Sequence, residues 1–314
     1  MGIHLVERTF EICGPSGLGA SPRPELVGPV LSRLHDTLVD SVRMGFLHAS
    51  RTRGRIPRGL ESAADVRFVG MEGSGDEVTK LHFQVARFGD VAAELFEQRQ
   101  LWDDGPRPDQ TAFDLLALSL GDVRNKREDS SRFDHGLLNR FASYRTALKR
   151  GVDSIRIDGG AAQQSQIDLL LVNASDQLRK QTPPSRRVRL CAKLDMLGVS
   201  RKVMGMYLED GTLVTALWNA DEFAGLAGFL DKDVVIEGLA VFRPSGKLLR
   251  IDADAITSAR ASDSYFSTLP LPGVADYAAA VRTRPGASAY KELLGMIPGE
   301  ETDEEFLQAM EALS

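Results

Sequence analysis

Along residues 1–180 the spacing of apolar positions switches repeatedly between about two and about 3.6, which predicts strands mixed with helices. Residues 3–12 read as a strand with mixed faces, followed by a Gly/Pro/Ser loop over 13–24. Pro24 stands where a helix start tolerates a missing N–H. Leu26, Val30, Leu31, Leu34, Leu38, Val42 and Phe46 then recur every three or four residues and predict a long amphipathic helix over 25–47. Two strands are predicted over 65–71 and 78–88 around the turn EGSGDE, the second alternating at Leu81, Phe83 and Val85. Apolar stripes predict helices over 91–100, 111–124 and 135–150, and 154–157 reads as a short strand. Residues 167–180 fit either a strand breaking into a helix or one helix.

The pattern changes after residue 187. Residues 188–197, 202–208 and 212–218 alternate as strands, and Asp210-Gly211 between the last two is a hairpin signal because Gly accepts the φ > 0 of a tight turn. In 221–230, Phe223, Leu226, Ala227 and Leu230 follow an entry Asp at helical spacing. Two further runs, 233–242 and 247–256, flank Arg243-Pro244-Ser245-Gly246 as a second hairpin. The order β-β-β-α-β-β over 188–258 resembles that of a nucleic-acid-family OB-type barrel. The expected fold class is therefore α+β: an α+β domain over 1–180, a linker over 181–187, an OB-like β-barrel over 188–260, and an acidic C-terminal arm over 261–314 ending in a helix.

A length of 314 residues suits about two domains. No apolar run approaches the ~20 residues of a membrane helix, and the charged start of the chain (His4, Glu7, Arg8, Glu11) is not expected to be a secretory signal. Cys13 and Cys191 suit reduced thiols in a bacterial-style cytoplasmic protein. Residues 261–314 hold three basic and nine acidic residues, which accounts for the whole net charge of −6. A neutral body argues against a strongly basic nucleic-acid binder, and the acidic arm is a candidate contact for a basic partner.

Motifs for catalysis are weak. Gly14 and Gly19 have phosphate-loop spacing, but Ala20 stands where that loop needs its Lys, so a plain strand-to-helix turn is the better reading. Ser288 and Lys291 match an SxxK pattern without its partner motifs, and the five histidines show no ligand pairing. No catalytic residue, metal ligand or cofactor is assigned. Three groups remain. Arg51, Arg53, Arg55 and Arg58, flanked by Arg43 and His48, could bind phosphate groups, against a plain solvated loop. Arg186, Arg187, Arg189, Arg201 and Lys202, with Tyr207 as a stacking residue, could bind nucleic acid on the barrel. Alternation puts Met204, Met206 and Leu208 on one face and Gly205 and Tyr207 on the other, and for Tyr207 a core or protein-contact role ranks ahead of base stacking.

The third group is the tail. Thr302 and Glu305 form a capping box, Asp303 and Glu304 add acid to the first turn, and Phe306, Leu307, Met310 and Leu313 make one apolar stripe. So short a helix must dock, either on its own body or on another chain. Residues 293–305 (LLGMIPGEETDEE) resemble the acidic C-terminal ends of bacterial antitoxin-like proteins, which wrap partner proteins; the large α+β domain departs from the small DNA-binding domain of that family. The expectation is a non-enzymatic binding or regulatory protein whose arm contacts a protein partner or a second copy. A nucleic-acid-binding accessory protein is the alternative, and an enzyme with a site near Arg51 and Arg58 ranks third.

Overall fold

The computed structural model describes residues 4–52, 58–96, 105–158, 160, 165–219, 223–270 and 272. Its first part runs β1 (Leu5–Cys13), α1 (Pro24–Leu47), α2 (Arg58–Ala63), β2 (Val66–Ser74), β3 (Val78–Ala86), α3 (Phe88–Val91), α4 (Ala112–Arg124), α5 (His135–Ser143), α6 (Arg145–Leu148), β4 (Ser154–Ile157), β5 (Ser165–Ile167) and α7 (Leu169–Gln181). The strands form one antiparallel sheet in the order β2-β3-β1-β4-β5. Alternation buries Phe10, Ile12, Leu81, Phe83, Ile155 and Ile157 on one face, where the stripe Leu26, Val30, Leu34, Leu38 and Val42 of α1 joins the same core. The loop after β1 crosses the end of β2 so closely that a side chain at Gly73 would collide with the backbone of Gly19 and Ala20.

Two elements of this part differ from the sequence expectation, and at 167–180 one of the two expected alternatives is found. The helix over 135–150 is split, because Tyr144 tightens the chain with an i→i+3 bond to Phe141 while its fully buried ring places the hydroxyl 3.0 Å from Thr37 of α1. In place of a helix over 91–100 there are α3 and a 3-10 turn, Ala93–Leu95, with 97–100 outside the described residues. Phe88 sets this geometry by burying its ring edge-on against Phe46, 5.3 Å between centroids. At 167–180 the chain is strand then helix, since Asp168 ends β5 and N-caps α7 by accepting from the Leu171 N–H.

The second part is a closed barrel of β6 (Arg186–Gly198), β7 (Val203–Tyr207), β8 (Leu213–Trp218), β9 (Asp233–Phe242) and β10 (Leu248–Ser258). Around the barrel the order is β10-β8-β7-β6-β9, with β9 pairing β10 to close it and β8 parallel to β10. The two hairpins share one turn design: Gly211 N–H bonds Leu208 C=O and Leu208 N–H bonds Thr212 C=O, and the same pair of bonds links Gly246, Arg243 and Lys247. Gly211 (φ 80) and Gly246 (φ 84) supply the left-handed residue, so each is a three-residue loop rather than a two-residue primed turn. Among the described residues between β8 and β9, the expected helix over 221–230 is replaced by a 3-10 segment, Ala224–Phe229; Gly225 and Gly228 weaken helix there. Leu190, Leu194, Met204, Met206, Val214, Ile236 and Ile251 fill the barrel interior.

Residues 182–185 connect α7 to β6, and the described residues up to Pro272 pack as one compact unit. Outward-facing Leu217, Val241 and Leu249 of the barrel belong to the core of the first part. Beside them Arg250 of β10, 4 % exposed, donates to the His48 carbonyl (2.6 Å), to Asp134 (3.4 Å) and to Asp252 (2.7 Å). Asp134 in turn accepts from the Ser50 N–H and hydroxyl and caps α5 through the Leu137 N–H. Among the described residues no helix is long and apolar enough to cross a membrane.

Candidate functional site

The outward side of β6, β7 and β8 divides into two halves. Val203 lies opposite Leu217 in the row packed against the first part of the chain. Two rows further out, Tyr207 pairs with Leu213 on one side and Lys193 on the other, and both Tyr207 and Leu213 are exposed. The row between holds Gly205, whose missing side chain makes room for the Met196 methyl. A β-bulge between Leu194 and Met196 turns Met196 onto this platform. Lys193 is held by Asp231 at 2.7 Å, which pushes its ammonium pKa up through the hydrogen bond and charge of that carboxylate. The open half of the face is thus an aromatic and a leucine beside a compensated lysine, with Glu209 and Asp210 in the adjoining turn.

The six residues considered for nucleic acid fall into separate places. Arg186, Arg187 and Arg189 begin β6, whereas Arg201 and Lys202 lie beyond its far end; over 13 residues that is on the order of 40 Å along the strand. Tyr207 sits between them, opposite Lys193. Arg187 bonds Asp254 at 3.1 Å. Arg189 pairs with Glu237 at 3.6 Å and Asp263 at 3.4 Å and lies 5.0 Å above the Phe266 ring. Asp263 is fixed for this by capping the 3-10 segment Ala261–Phe266.

Of the phosphate candidates, Arg51 lies past the end of α1, close enough that its charge acts on Asp40. Arg53, Arg55 and the Arg58 side chain lie outside the described residues, as do Asp303, Glu304, Glu305, Phe306, Leu307, Met310 and Leu313. Arg43 lines a cleft of about 770 Å³ with Asp36, Asp40 and Arg140. Arg140 clamps both carboxylates, Asp40 at 3.0 Å and Asp36 at 2.9 Å. Burial raises the Asp40 pKa, opposed by the Arg140 hydrogen bond and charge. The cleft walls carry both signs: Glu61 and Asp65 also line it, and Arg67 reaches its rim from the end of β2.

The other buried carboxylates also hold structure. Asp114 closes the capping box of α4 with Thr111. Asp122 accepts from Arg127, Arg132 and Ser130 and so folds the loop after α4. Among the described residues no group of three or more His, Cys, Asp or Glu side chains could hold a metal ion. Sequence reasoning passed over Leu213, though the alternation of β8 marks it as outward, and Arg250, a charge inside the apolar run KLLRI. No protein-family model, curated protein or solved structure matches the chain.

Proposed function

We propose that the protein is a non-enzymatic binding protein in which an OB-type barrel, packed on an α+β body, presents its β7–β8 face to a protein partner, with the acidic arm as a second contact. Support for the OB type comes from the strand order and from the parallel closure of β8 on β10. The observation that carries the reading is the exposed Tyr207–Leu213 pair, a large apolar contact on the strand 2–3 face that barrels of this type use for ligands. A protein surface suits it better than a phosphate backbone, because Arg187, Arg189 and Lys193 are each already paired with carboxylates and Glu209 and Asp210 border the platform.

A photo-crosslinking residue placed at Leu213 of the full chain, expressed in its own host, tests this. A discrete protein adduct that disappears when Tyr207→Glu is added supports the reading. A nuclease-sensitive adduct would favour the nucleic-acid alternative, and labelling no different from that of a crosslinker at Arg67 would refute a dedicated face. Removing residues 299–314 should weaken the adduct without unfolding the body.

A further inference from the structure

Among the described residues strand β2 is an edge of the sheet, and it carries three of the large exposed apolar side chains: Phe68 (53 %), Val69 (56 %) and Met71 (49 %). An open edge offers unpaired N–H and C=O groups to another strand, and proteins normally blunt such edges with charge or a bulge. Here the register with β3 skips Val69 between Phe68 and Gly70. That bulge alters which residues share a face. Phe68 and Met71, opposite the buried Phe83 and Leu81, both point to the helix side, while Arg67, Gly70 and Glu72, opposite Gln84, His82 and Lys80, point to the other.

With Val69 skipped, the pattern is symmetric about Gly70. We infer that β2 pairs antiparallel with β2 of a second copy of this chain about a two-fold axis at Gly70, joining the two sheets into one of ten strands. In that register Phe68 of each copy lies opposite Met71 of the other on the helix side. Arg67 of each copy lies opposite Glu72 of the other on the outer side. Gly70 faces its own counterpart, where the absence of a side chain leaves the two strands free to approach. One axis therefore satisfies an apolar pair and an opposite-charge pair, each twice, and both kinds stabilise antiparallel neighbours. Among the described residues Arg67 pairs with Asp65 at 3.6 Å, both side chains largely exposed, while Glu72 lies 3.7 Å from Lys80 and 3.5 Å from His82 on the same outer side. The inference does not depend on the barrel reading, because β2 lies in the other part of the chain.

Sedimentation velocity and light scattering on the full chain test it. The expected mass is about twice the 34.3 kDa of one chain. Arg67→Glu and Glu72→Arg should each weaken the dimer about ten- to a hundred-fold, because each sets like charges opposite one another twice. The double exchange should restore it, with melting curves confirming that all three variants fold. Independently, amide exchange of residues 66–73 in the unmodified chain should slow as protein concentration rises. A monomer at every concentration, a dimer indifferent to either single exchange, a double exchange that fails to recover, or amide exchange independent of concentration overturns the proposal. So does a dimer that is lost on removing residues 299–314, which would place self-association in the arm.

Discussion

Replacing Arg250 by alanine removes a cation shared by acceptors on both parts of the chain: the His48 carbonyl, Asp134 and Asp252. Arg250 and Asp134 are both nearly excluded from water, with side chains 5 % and 7 % exposed. Removing one partner of such a pair strands the other charge and costs about 3–5 kcal/mol. The lower end applies here. Asp134 keeps its bonds from Ser50 and Leu137, and Asp252, 21 % exposed, can turn towards solvent. A loss of about 3 kcal/mol corresponds to a fall in melting midpoint of roughly 5 °C for a unit that extends to Pro272. Calorimetry measures it directly, and the fluorescence of Trp218 reports the barrel. Arg250→Met with Asp134→Asn should recover much of the loss, because Asn still caps α5 and no buried charge is left alone. An unchanged midpoint for Arg250→Ala, or a double variant no better than the sum of its parts, would show that the contact carries no net stability.

Three further outcomes follow from the same geometry. Gly211→Val forces a β-branched side chain to φ 80 and should cost about 1–3 kcal/mol, read as a lower denaturation midpoint; equal stability would mean that the turn relaxes to another type. Burial holds Asp40 above its ordinary 3.8, so the native state keeps that proton to higher pH than the unfolded chain does. Its contribution to stability is then fully present below 3.8 and lost as pH rises through the raised value, and wild type should lose stability relative to Asp40→Asn over that window; the opposite slope would mean that Arg140 outweighs burial. A fragment of residues 185–260 has its own interior and should give a β-rich spectrum, yet melt well below the intact chain because Leu217, Val241 and Leu249 lose their cover; a random-coil spectrum, or a midpoint equal to that of the intact chain, counts against this.

Much of the local structure was readable from periodicity alone. Strands and long helices such as α1 bury one stripe or one alternate set, and that requirement is written into neighbouring residues: Leu26 to Phe46 for α1, Met204 and Met206 against Tyr207 for β7. The hairpins at Gly211 and Gly246 are equally local, because the turn conformation depends on the residue that adopts it. Where a single buried side chain reset the backbone, as Tyr144 does in splitting α5 from α6, periodicity over-extended the helix. The candidate sites depend on residues far apart in the chain. Arg187 and Arg189 look like a basic cluster until β10 and the segment after it bring Asp254 and Asp263 beside them. Leu217, Val241 and Leu249 read as ordinary strand residues, and only the packing of barrel on body buries their outward faces. Likewise nothing in the composition of β2 says that it is an edge. That follows from β1 and β3 pairing with each other, which among the described residues leaves β2 with β3 alone, and pairing between distant strands is decided by how the whole sheet covers α1, not by any one segment.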